Sequence, residues 1–291
     1  MELETKTLEL KKTKAYVELL IAAFGWSLST VLLKMYIDSV PPFHLLMGRF
    51  VVGFVFILAI KPNVVKSITK KELTIGIPLG FMVFLAYTFG VVCLKYTSAS
   101  KSSFLVSLSV LFIPIIEGII RKSMPSKWTV MTVFMSLVGL RLISGMNGTG
   151  FNFGDGLAIL SAVSYSAYIL MMDRKGKDID DMVLTIIQLG VVSVCCIIAV
   201  VLLEGFSIEY IKIALVPILI IGVLCTGIAT LCQTRAQKVA STEIVGILLL
   251  GEPLFTLIMA FFILKETILL NGVLGGLLIL ISLVLAVVIK I

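Results

Sequence analysis

A chain of 291 residues that is 59% hydrophobic and only 14% charged lies well below the charged share of about 25% seen in soluble domains. With a mean hydropathy of +1.14, this composition excludes an ordinary water-soluble fold and predicts an all-α integral membrane protein whose surroundings are the lipid bilayer. The net charge of +7 is therefore read by the side of the membrane on which it gathers, and no nucleic-acid partner is expected.

Apolar runs of about 20 residues, each long enough to cross ~30 Å of hydrocarbon, fall at 15–36, 43–60, 73–94, 104–120, 128–145, 154–172, 182–203, 211–233, 242–264 and 269–289. Ten transmembrane helices joined by short loops are expected, with residues 1–14 a basic cytoplasmic tail. The first run is too long for a signal-peptide core and lacks a small-residue exit, so it reads as retained. With the N-terminus inside, 17 of the 24 Lys and Arg residues fall on cytoplasmic segments and four outside. That bias places both termini in the cytoplasm of a multi-pass cell-membrane protein. The five cysteines all sit within runs and lack zinc-site spacing, so they read as packing residues, and neither metal nor cofactor is expected.

In the first run, Trp26 and Ser27 precede Lys34, which lies near the outer end and reads either as a snorkelling cation or as a vestibule residue. Arg49 is six residues inside the second run, ~9 Å deep. At that depth it requires a partner or water, or serves to capture an anionic group. His44, the sole histidine, reads as interfacial. The third run carries Phe84 and Tyr87 in an aromatic stripe at helical spacing, loosened by Pro78 and Gly80. In the fourth, Ser103, Ser107, Pro114 and Glu117 share one face. Glu117 is spaced to pair with Arg121. The segment 147–153, rich in glycine and asparagine, is the expected linker between halves 15–146 and 154–291. Beyond it, Tyr165 and Tyr168 occupy the places of Trp26 and Ser29 at a shift of 139. Thr226, Thr230 and Gln233 then draw a polar line along the eighth run.

The ninth run is interrupted only by Glu252 and Pro253 at its centre. A mid-membrane carboxylate is functional by default, and three roles stay open: coupling to protons, capping of groups left unpaired by Pro253, or contact with substrate. Shifting the chain by 143 lays Lys95, Ser98, Leu111, Phe112 and Lys122 on identical residues at Lys238, Ser241, Leu254, Phe255 and Lys265. Each half therefore holds five runs. An odd number inserts the second copy upside down, giving inverted five-helix repeats with substrate sites near midplane at their interface.

These residues resemble the EamA family of the drug/metabolite transporter superfamily. The resemblance lies in Trp26 followed by Lys34 and Arg49, in Thr97-Ser98-Ala99-Ser100-Lys101, in Tyr165-Ser166-Ala167-Tyr168 after Gly154-Asp155, and in Glu252-Pro253 ahead of Leu264-Lys265-Glu266. It implies a ten-helix carrier that exports or exchanges small metabolites by alternating access. Four helices of each half would surround the cavity, the fifth and tenth would be peripheral, and Trp26, Lys34, Arg49 and Glu252 would be site residues. The first copy departs from the pattern, with Ser123 where the second has Glu266 and Val110 where the family usually has proline. An enzyme is not expected: H-E-x-x-H, G-x-S-x-G and the P-loop motif are all missing from the sequence. Aromatics beside the cations Lys34 and Arg49 suit an amino acid or a related amphipathic compound. A homodimer is left open.

Overall fold

A computed structural model describes residues 2–122, 127–144, 151–240, 245, 248–267 and 269–288. Within them the chain forms helices α1 (Glu2–Tyr36), α2 (Pro42–Ile60), α3 (Lys70–Val92), α4 (Ala99–Ser107), α5 (Ser109–Arg121) and α6 (Lys127–Ser144). The second half follows with α7 (Phe153–Met171), α8 (Asp181–Ala199), α9 (Ile208–Ile213), α10 (Leu215–Ile220), α11 (Ala229–Val239), α12 (Gly251–Met259) and α13 (Leu270–Val288). Among the described residues, seven helical stretches are long and apolar enough to cross a membrane, while shorter apolar helices at Val130–Gly139, Gly251–Leu264 and Leu270–Ser282 fall on the fifth, ninth and tenth expected spans. No strand occurs among the described residues. Most of the expected linker, and Arg121's side chain, lie outside them.

Local chemistry sets where these helices begin. Pro42 opens α2 at a position whose N–H would have no partner anyway. Thr69 with Glu72 starts α3, and Asn152 with Asp155 starts α7, each as a reciprocal capping box. Asp180 accepts from the N–H groups of Met182 and Val183 to start α8. Two expected single spans are interrupted: the fourth divides between α4 and α5 at Leu108, and the ninth breaks ahead of α12 at Leu250. Pro253 accounts for the second break, since it sits in the first turn of α12 and supplies no N–H to the carbonyl four residues back.

The halves repeat each other in detail. Lys122 and Lys265, equivalent at a shift of 143, both end their helices in the left-handed region, with φ of 53° and 55°. At the α2 to α10 contact, Gly48 faces Ile218, and a Cβ on that glycine would lie 2.8 Å from the isoleucine. At the α3 to α8 contact the partners are exchanged: Gly76 faces Ile187, at 2.6 Å. Gly48 and Ile187 are equivalent positions at the shift of 139. The missing side chains let these helices approach closely, which in a bilayer is how packing is gained. Outside this core, α6 packs mainly on α13, with Ser136 bonded to Ser282 and Gly139 against the Gly275 carbonyl.

Polar ties join the helix ends. Lys101 and Asp155 form a buried ion pair at 2.7 Å between α4 and α7. Glu266 accepts from the N–H groups of Ala99 and Ser100 and from the Ser100 hydroxyl, so the exit of the ninth span caps α4. His44, at the start of α2, is fully buried, covered by Phe206 and Tyr210. Its Nε2 accepts from the Ser207 N–H, so Nδ1 carries the proton donated to Glu204 at 2.8 Å. Glu117 reaches across to Arg174 at 3.7 Å, an interhelical contact beside the intrahelical one expected with Arg121.

Candidate functional site

Two adjoining cavities lie between the halves. The first, with about 630 Å³ of space, is walled by α1, α3, α4 and α7 together with Arg49 of α2 and Glu252 of α12. Its lining includes Trp26, Tyr87, Ser103 and Tyr165, set among aliphatic groups such as Leu33, Val91 and Val106. The second, with about 450 Å³, shares Trp26, Val106, Tyr165 and Glu252 with the first and continues past Ser107 to Ile113 and Ile169.

Arg49 is 1% exposed. Its Nε donates to Thr226 Oγ1 at 3.0 Å, and its guanidinium lies 4.8 Å from the Tyr87 ring centre and 5.2 Å from that of Phe50. Both rings present π density to the cation, a contact that strengthens once water is removed. One face of the fork is thus held by α11's approach segment and the aromatics, while Nη2 has no partner. Close helix approach explains the depth: a Cβ on Gly222 would sit 2.6 Å from Val52 and 3.0 Å from the Arg49 carbonyl, so α2 lies directly on the segment before Thr226.

Glu252 lines both cavities. Among the described residues, no ion pair or hydrogen bond joins its carboxyl group to Arg49, so the two side chains line one cavity without contacting each other. Trp26 Nε1, Ser29 Oγ and Ser103 Oγ are also buried without partners in the walls of this first cavity. Buried polar atoms are nearly always paired, so a cluster of unpaired donors around one space marks where a ligand or water sits.

Tyr165 meets Trp26 edge to face at 6.1 Å and stacks on Tyr168 at 5.6 Å. Its hydroxyl oxygen accepts from Gln233 Nε2. The helices carrying Trp26 and Tyr165 are pinned in matching ways. Ser27 donates to the carbonyls of Ala23 and Glu252, each at 2.8 Å, and Ser166 donates to those of Ala162 and Ser109 at 2.7 and 2.8 Å. Ser109 and Glu252 are equivalent at the shift of 143.

Of the residues singled out in sequence, Trp26, Arg49, Tyr87, Ser103, Tyr165 and Glu252 line the first cavity and Ser107 the second. The others are not among the residues lining these two cavities. Thr226 holds Arg49, Gln233 holds Tyr165, and Tyr168 Oη reaches Gln188 at 3.5 Å. Lys34 donates to the Leu94 carbonyl at 2.6 Å, which ties α1 to the end of α3. Phe84 packs on Phe81, and Thr230 is buried on α11. Ser29 and Ser161 were not singled out, yet both line the first cavity. For Ser161 the usable signal was a serine four residues before the tyrosine; its hydroxyl donates to the Ala86 carbonyl at 2.7 Å. Among the described residues no group of His, Cys, Asp and Glu is placed to hold a metal.

A multi-pass helical membrane protein with a largely apolar cavity, carrying a few polar groups, between two repeats is the class that this fold and site define. The sequence pattern of the EamA-like transporter family matches residues 13–145 and 152–288. An uncharacterized transporter of Archaeoglobus fulgidus is 31% identical over 167 residues, 57% of this chain, and the match spans about half (51%) of that relative. A second from the same organism is 25% identical over 264 residues, covering 87% of this chain and 90% of the relative. One from Clostridium kluyveri is 24% identical over 285 residues, covering 90% and 89%. A solved protein crystal structure superposes with a TM-score of 0.63 over 98% of this chain and 97% of the other at 17% identity, which shows a common fold. The chain belongs to the EamA-like transporter family and is a membrane transporter built from two copies of the family's domain.

Proposed function

We propose that the chain is a secondary carrier of ten transmembrane helices in two inverted repeats, which exports or exchanges small amphipathic metabolites, amino acids among them, by alternating access. Both termini face the cytoplasm and the protein acts in the cell membrane. The observation that carries the reading is the first cavity, where unpartnered donors from Trp26, Ser29, Arg49 and Ser103 surround a space also lined by Glu252. Arg49 offers a free N–H to a carboxylate, Glu252 a carboxyl group to an ammonium, and Trp26, Tyr87 and Tyr165 a surface for an apolar body. The chemistry required of these groups is recognition and release, and no bond of the substrate need change.

The test is counterflow. Proteoliposomes preloaded with single amino acids, organic acids or amines are offered the same compound labelled, with and without a pH gradient. Accumulation above protein-free vesicles for an amphipathic compound is expected. Chemical conversion of a compound without movement would sink the reading.

A further inference from the structure

Four side chains line both cavities: Trp26, Val106, Tyr165 and Glu252. The second cavity in turn shares Ile169 and Val245 with a third, of about 230 Å³, that reaches Asp173 and Gln237. The three spaces form a string from the Leu94 and Ser102 end of the molecule to the Asp173 end. Trp26 and Tyr165 are the large rings in the first partition, in edge contact at 6.1 Å. Each ring stands one residue before a serine that ties its helix to another, Trp26 before Ser27 on the Glu252 carbonyl and Tyr165 before Ser166 on the Ser109 carbonyl. Trp26 therefore moves with α1 and α12, and Tyr165 with α7 and α5.

We propose that the Trp26–Tyr165 contact is the septum between the outer and inner halves of the transport path, and that it parts when these two helix pairs rock against each other. This rests on the transporter reading and deepens it by naming the residues that close the path. The second cavity is then sealed from the outer side whenever the rings touch. Pinning each ring through its backbone neighbour makes the closure a property of two packed pairs, so it persists without substrate.

Ile113→Cys places a thiol in the second cavity. A membrane-impermeant cationic thiosulfonate is added to the extracytoplasmic side of right-side-out vesicles, with the parent chain's five cysteines as background. Labelling at background level is expected for Ile113→Cys alone and for Ile113→Cys with Tyr165→Phe, which keeps the ring. Labelling well above background is expected with Tyr165→Ala or, should that variant fold poorly, with Trp26→Ala. Strong labelling of Ile113→Cys alone, or background labelling in both alanine variants, overturns the septum. Because the readout needs no substrate, absence of counterflow with the expected labelling pattern would fail the transporter reading and leave the septum standing.

Discussion

Arg49→Ala separates a binding role from a structural one. In a purely structural role the arginine would complete an ion pair, and breaking a buried pair costs about 3–5 kcal/mol because it strands a charge. Here no carboxylate pairs with Arg49 among the described residues; its contacts are the Thr226 hydroxyl at 3.0 Å and the rings of Tyr87 and Phe50. Truncation strands no anion, and the space it vacates adjoins an existing cavity. The melting temperature in detergent is therefore expected within roughly 3 °C of the parent, the equivalent of about 1 kcal/mol. Substrate binding should suffer far more. Removing one charged partner from a desolvated contact costs about 3 kcal/mol, which at 1.4 kcal/mol per factor of ten is roughly 150-fold in affinity. Arg49→Lys keeps the charge but loses the fork and the stacking, so partial binding should remain. Thermal melts and counterflow at graded substrate concentration, at matched expression, decide the matter. A large drop in melting temperature with unchanged transport would refute the reasoning.

Glu252→Gln should retain counterflow exchange but lose the dependence of transport on a pH gradient; an unchanged pH profile would end the coupling role and leave capping or substrate contact. Lys66→Cys should stay unlabelled by an impermeant reagent outside intact cells, and labelling there would overturn the cytoplasmic placement of the termini. Asp155→Asn strips the charge from the buried partner of Lys101, so a loss of several kcal/mol, up to about 3–5, should appear as a lowered melting temperature. Gly222→Ala drives a Cβ to within 2.6 Å of Val52 and 3.0 Å of the Arg49 carbonyl. Overpacking of this kind costs about 1–3 kcal/mol and should displace Arg49, so affinity should fall along with stability.

The sequence by itself determined the solvent of this protein and its repeats, because both are written in one dimension. Runs of about 20 apolar residues can only span hydrocarbon as helices, and the identities linking Lys122 with Lys265 or Phe112 with Phe255 need only alignment. Arg49 and Glu252 stood out for the same reason: a charge at bilayer depth is costly wherever its helix packs. Partners are a different matter, since they depend on which helix faces come together. Lys34 and Arg49 both read in sequence as candidate vestibule cations, yet one spends its donor on the Leu94 carbonyl while the other keeps a free Nη2 in a cavity. His44 carried no sign in sequence that a segment 160 residues later would cover it. Likewise the break at Leu108 has no proline beside it, and the pairing of Trp26 with Tyr165 joins equivalent positions that sequence could align but not bring into contact. Tertiary structure decided these, because one copy packed on the other creates contacts between residues that neither copy holds alone.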